Sequence, residues 1–303
     1  MNTFSRSPFG SLITAMVTPM RPDGAVDYQR AEELAARLIE HGSTGIVVSG
    51  TTGESPTLTP QEKLELFRCV KRAAGSTPVI ANTGDNETAF SIEFSRQAEE
   101  AGVDALLLVV PYYNRPHQEG LYQHFKAIAA AVELPCVLYN VPARTARNME
   151  AKTVARLAEI SNIIGVKEAG GDMAQISYIR ALTSDDFAIY SGNDGDTLPM
   201  LALGCCGVIS VISHIAGQPM RQMMEAFWNG DLSTAIAIHL RLLPVCDAIF
   251  PPTAPSPIPI KAAMQLQGFD CGGLRLPLVE ATESERENLR RAMQTAGLLN
   301  CQL

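Results

Sequence analysis

The sequence lacks most of the features that would mark a metal centre, a membrane anchor or a nucleic-acid surface. Its five histidines, His41, His117, His124, His214 and His239, show no metal-ligand spacing. Its seven cysteines are an odd set with no Cys-x-x-Cys pair, and the adjacent Cys205 and Cys206 sit in the apolar stretch 201–212. That usage argues against a disulfide framework or a zinc site and for reduced thiols. Asn193-Asp194-Gly195-Asp196 opens like a calcium loop but lacks the rest of that pattern. No run approaches the ~20 apolar residues of a spanning helix, and residues 1–10 lack the apolar core of a signal peptide. A formal net charge of −8 without a basic block argues against nucleic acid or an anionic membrane as partner. The expectation is a soluble, cytoplasmic, metal-free protein. An acidic small molecule stays open as a substrate, because a few local cations suffice to bind one.

What is present is a repeated phrase: an amphipathic helix, a glycine, then a short apolar run. Leu34-Ala35 and Leu38-Ile39 have helical spacing, Gly42 follows as a stop, and Ile46-Val47-Val48 reads as a strand. Runs that are apolar without alternation suit strands covered on both faces, as in parallel sheets. Eight occur, at 12–17, 45–49, 78–82, 105–110, 135–139, 163–167, 187–191 and 207–211, each separated by room for a crossover helix. The predicted fold is a (β/α)8 TIM barrel over residues 1–217, followed by a helical domain over 218–303. An open doubly wound sheet is the alternative, but no Gly-x-Gly-x-x-Gly turn follows the first run. Thr59-Pro60-Gln61-Glu62 and the segment 282–285 are capping boxes. Helices are expected at 220–228, 234–243 and 261–266, with the proline-dense stretch 251–259 as a stiff connector.

In a barrel, the strand C-terminal ends share one mouth. Thr51-Thr52, Tyr112-Tyr113, the segment 139–144 and Lys167 then converge there. A lysine closing an apolar strand is poorly solvated, which favours the neutral amine that attacks carbonyls. Imine formation needs proton transfers, for which Tyr139 and Thr51 are placed by position. Gly50 and Gly53 allow backbone N–H groups close to an anion, and Arg144 offers a fork for a carboxylate. Each residue alone also has a bland role: a strand-capping lysine paired with Glu168, side chains filling a barrel layer, a surface salt bridge.

Taken together, the segments 50–55, 111–116, 139–145 and 165–168, with the stretch 257–261, resemble the dihydrodipicolinate synthase family over nearly the whole chain. The resemblance implies that Lys167 forms an imine with pyruvate, with no cofactor, and that the enamine attacks L-aspartate-4-semialdehyde. It implies a proton relay of Thr51, Tyr139 and Tyr113, the last reaching into a neighbouring subunit of a homodimer or homotetramer. Thr52 and the backbone of Gly192 and Ile209 would hold pyruvate, and Arg144 the semialdehyde carboxylate. Sialic acid lyases resemble the chain less: they usually carry Ser-Thr at Thr51-Thr52 and lack an arginine at Arg144. A retro-aldolase and a catalytically silent barrel are the other readings. Lysine-inhibited relatives have an allosteric cleft to which Ser55, Asn86 and Tyr112 correspond, but Pro60, Lys63 and Phe90 replace its other groups. Weak or absent lysine inhibition is therefore expected. Ser256 stands where relatives usually have asparagine.

Overall fold

The computed structural model describes residues 7–299. Each apolar run becomes a strand, because a run covered on both faces satisfies its backbone only by lateral pairing. The strands are β1 (Leu12–Ala15), β2 (Gly45–Val48), β3 (Val79–Asn82), β4 (Ala105–Val109), β5 (Cys136–Asn140), β6 (Ile163–Glu168), β7 (Ala188–Ser191) and β8 (Gly207–Ser210). They pair in parallel in chain order, and β8 closes on β1 through Leu12–Val208, Ile13–Ile209 and Thr14–Ser210. The barrel expectation is met, and closure rules out the open sheet. Gly165 is required where β6 meets β7, since a Cβ there would lie 2.6 Å from the Ala188 carbonyl oxygen.

The connecting helices are α1 (Tyr28–Glu40), α2 (Pro60–Ala74), α3 (Thr88–Glu100), α4 (Gln118–Ala129), the single turn α5 (Pro142–Thr145), α6 (Ala151–Leu157), α7 (Met173–Leu182) and α8 (Thr197–Ala202). Helix α2 starts at the expected capping box, with Thr59 and Glu62 each bonding the other's backbone N–H. Helix α1 ends at Glu40 with His41 as its C-cap, and Gly42 follows with φ +110°, the left-handed stop that the sequence pattern suggests.

Beyond β8 come α9 (Ser213–Trp228), α10 (Leu232–Ile249), α11 (Ile258–Leu266) and α12 (Glu283–Thr295), the last opened by the second capping box. Helix α9 begins seven residues before the expected 220 and carries a non-helical break at Ala216. The division at 217/218 falls inside this helix, directly after the break. Helix α10 has the length and apolarity to cross a bilayer, and it packs on α9 and α12. The proline-dense stretch is more than a connector: Ala254 and Ser256 are buried in it, and α11 already starts at Ile258.

Buried His214 ties two strand ends together. Its Nε2 accepts from the Val17 N–H at 3.1 Å, while its Nδ1–H donates to the Val211 carbonyl at 2.7 Å. Burial pushes its pKa down to about 4, and burial does the same to His124. Between about pH 6.5 and about pH 4 the unfolded chain binds protons at these positions that the folded chain does not. Unfolding free energy therefore falls as pH falls through that window, by up to about 3 kcal/mol for a fully buried histidine. Urea unfolding at about pH 7 and about pH 5 should show this loss, and His214→Gln should reduce it. An equal pH dependence in the variant would contradict the assignment.

Candidate active site at the barrel mouth

Register sets the central pair. Tyr139 of β5 lies opposite Lys167 of β6, one step before the Asn140–Glu168 pair. Successive residues on a strand point to opposite faces, so Lys167 and Glu168 part company. Glu168 accepts from Asn140 Nδ2, Gly170 N–H and Gln175 Nε2, and burial raises its pKa. The pairing of Lys167 with Glu168 suggested by their adjacency is absent. Lys167 is 6% exposed, makes no hydrogen bond or ion pair with a described residue, and holds its Nζ 4.3 Å from the Tyr139 ring centroid.

A cavity of about 200 Å³ opens over this amine, lined by Thr51, Thr52, Tyr139, Arg144, Lys167 and Gly192 among others. Arg144 is exposed at its rim and pairs with no carboxylate among the described residues, so the surface salt bridge is absent as well. The Gly192 N–H is already bonded to the Glu168 carbonyl at 2.7 Å. Ile209 is buried in β8 beside Ile13, and its side chain does not line the cavity. Tyr113 lies outside it: the ring is 90% exposed on a backbone with φ +70°.

The loop that carries Thr51 and Thr52 is held from three sides. Ser49 and Glu54, both non-glycine residues with φ above +50°, bracket it, a kind of strain that persists only where surroundings over-determine it. Thr18 Oγ1 donates to the Gly53 carbonyl at 2.6 Å. Glu54 Oε1 pairs with Lys261 Nζ of α11 at 2.7 Å, with both side chains buried, and Glu54 Oε2 accepts from the Arg275 N–H. Ser256 Oγ donates to Thr52 Oγ1 at 3.2 Å and lines the same cavity.

Asp194 is not among the residues lining the cavity, but it braces the site in a way its motif did not reveal. After β7 it turns back, and its Oδ2 accepts from the N–H groups of Val211 and Ile212, which fixes the end of β8. Burial raises its pKa, while the Ser210 hydroxyl, those two N–H groups and the Lys167 charge oppose the rise. Its loop is a brace between two strand ends, in place of a calcium loop.

A second cavity of about 260 Å³ shares Thr51, Val141 and Arg144 with the first and includes Ser55, Lys63, Asp85 and Tyr112. Burial lowers the pKa of Lys63. The Tyr112 hydroxyl donates to Asp85 at 3.0 Å. Of the residues matched to an allosteric cleft, Ser55, Lys63 and Tyr112 meet here, whereas Pro60, Asn86 and Phe90 are not among the lining residues.

Fold and cavity define a (β/α)8-barrel protein with its candidate chemistry at the strand C-terminal mouth, where such barrels carry it. The model of the dihydrodipicolinate synthetase family matches residues 8–296, and the chain belongs to that family. It is 55% identical over 292 residues to the 4-hydroxy-tetrahydrodipicolinate synthase of Moorella thermoacetica, covering 96% of this chain and 99% of the relative. The Bacillus subtilis synthase is 52% identical over 283 residues, 93% of this chain and 97% of its own length. The crystal structure of a dihydrodipicolinate synthase from Bacillus anthracis superposes with a TM-score of 0.92 at 50% identity, covering 94% of this chain and 98% of that one. That of the Cyanidioschyzon merolae enzyme with lysine bound gives 0.94 at 49% identity, covering 96% and 99%.

Removing one partner of a buried ion pair leaves an uncompensated charge, which costs about 3–5 kcal/mol. Lys261→Met should lower the unfolding free energy by that amount in a urea titration, and the double variant Glu54→Gln/Lys261→Met should recover part of it. Wild-type stability in the single variant would show that the pair does not hold the loop.

Proposed function

We propose that this protein condenses pyruvate with L-aspartate-4-semialdehyde to 4-hydroxy-tetrahydrodipicolinate through an imine on Lys167. The observation that carries the reading is the Lys167 amine beside Tyr139, in a cavity that also presents Thr51, Thr52 and Arg144, with neither Lys167 nor Arg144 paired to a carboxylate among the described residues. The Lys167 amine, after giving up a proton, adds to the pyruvate ketone, and the carbinolamine loses water to give the iminium. Tyr139 and Thr51 pass the protons that these steps require. Loss of a methyl proton gives the enamine, whose carbon attacks the aldehyde. The amino group of the semialdehyde then displaces Lys167 and closes the ring. The chemistry needs no cofactor, since the lysine itself supplies the electron sink.

Thr52, with backbone near Gly192 and Ile209, holds the pyruvate carboxylate, and Arg144 holds that of the semialdehyde with its planar fork. Tyr113 completes the relay from a second copy of this chain. A large aromatic ring that is 90% exposed on strained backbone suits a residue covered by a partner. The same pairing extends to a homotetramer in a soluble, cytoplasmic enzyme. In the second cavity, the ammonium of Lys63 stands where lysine-inhibited relatives have another group and faces Asp85, the one carboxylate among the lining residues, so lysine acts weakly or not at all.

A coupled assay with both substrates should give turnover that Lys167→Ala reduces by ~10³-fold or more, as expected for loss of the covalent nucleophile. Arg144→Ala should raise the semialdehyde KM by ~10-fold or more and move the pyruvate KM far less. Millimolar lysine should leave the rate nearly unchanged. Turnover with a cleavable sugar acid in place of the semialdehyde would contradict the condensation and favour a retro-aldolase.

A further inference from the structure

We propose that Ser256 is a positioning residue for the 2-oxo acid: its hydroxyl donates to Thr52 and leaves the Thr52 O–H to donate to the substrate carboxylate. The inference rests on the imine reading above and deepens it at the carboxylate end of the same cavity. Both side chains belong to buried residues, each 5% exposed, and both line the cavity over Lys167. Ser256 Oγ is the donor and Thr52 Oγ1 the acceptor, at 3.2 Å.

A hydroxyl has one proton and two acceptor positions. Thr52, having accepted from Ser256, keeps its own proton, and no other described residue takes it. A carboxylate only accepts, so it matches a hydroxyl whose proton is uncommitted. With the opposite direction, the Thr52 proton would be committed to Ser256. A chain of the form Ser O–H to Thr O–H to carboxylate also polarises along its length, each bond strengthening the next.

The two hydroxyls are held in register independently of substrate. Ser256 lies two residues before α11, and α11 carries Lys261, whose ammonium is paired with Glu54 at 2.7 Å. Glu54 lies two residues after Thr52. The segments 52–54 and 256–261 are thus joined by two bonds, a hydroxyl pair and an ion pair, and the C-terminal region reaches the substrate through the first.

Steady-state condensation by the unsubstituted protein, Ser256→Ala, Thr52→Val and the double variant tests this. Ser256→Ala should raise half-saturating pyruvate by ~3- to 10-fold, with kcat within about twofold, as for loss of one hydrogen bond. In the Thr52→Val background the serine substitution should add nothing, because the intermediary hydroxyl is gone. Borohydride trapping of hydroxyacetone, a ketone without a carboxylate, should be the same with and without Ser256. Unchanged pyruvate saturation in Ser256→Ala, or independent effects that multiply in the double variant, would overturn this inference and leave the proposed function standing. No turnover by the unsubstituted protein would overturn the proposed function and this inference with it.

Discussion

The site depends on a buried ion pair between parts of the chain 207 residues apart. Glu54 and Lys261 meet at 2.7 Å with side chains 0% and 5% exposed. Such a pair is a poor source of net stability, because both charges lose their water. Its value is positional. Glu54 sits with left-handed backbone in the turn after β2, the turn that presents Thr51 and Thr52. Its other oxygen takes the Arg275 N–H, and Arg275 in turn pairs with Glu62 of α2. The turn is therefore clamped between the barrel and the C-terminal helices, with Glu54, one of its two strained residues, bonded through both carboxylate oxygens.

The barrel supplies the other half of the arrangement. Parallel pairing of β5 and β6 places Tyr139 against Lys167, and strand alternation sends Glu168 to the opposite face, into a network with Asn140 and Gln175. An amine without a carboxylate partner, packed on an aromatic ring, is chemically different from a lysine in a salt bridge. Across the mouth, Asp194 and His214 fasten the end of β8 to the β7 loop and to β1. The walls of the cavity are thus set by backbone bonds to buried polar side chains, and Thr51, Thr52, Tyr139, Arg144, Lys167 and Ser256 are among the side chains that line it.

Much of this was legible in the sequence, and the reason is local. Unbroken apolar runs announce strands covered on both faces, and all eight were found with ends shifted by no more than two residues. Capping boxes at Thr59 and Thr282 mark helix starts because both partners lie within four residues. Lys167, Tyr139, Thr51, Thr52 and Arg144 could be gathered because strand ends in a barrel share one mouth, whereas Gly192 came only from the family resemblance. What escaped depends on distant pairing. No local pattern marks Glu54 and Lys261 as partners, and Ser256 looked like part of a stiff connector until Thr52 lay beside it. Asp194 resembled a fragment of a metal loop because its partners, the backbone N–H groups of Val211 and Ile212 just past β8, are distant in sequence. Helix α9 starts early because Ser213 to Gly217 are packed against the barrel, which outweighs the proline that follows.

The most direct measurement is peptide mapping by mass spectrometry after borohydride reduction in the presence of pyruvate. The account predicts a single pyruvyl adduct on the peptide that carries Lys167, with no adduct at Lys63 or Lys261. An adduct at another lysine, or none, would contradict it.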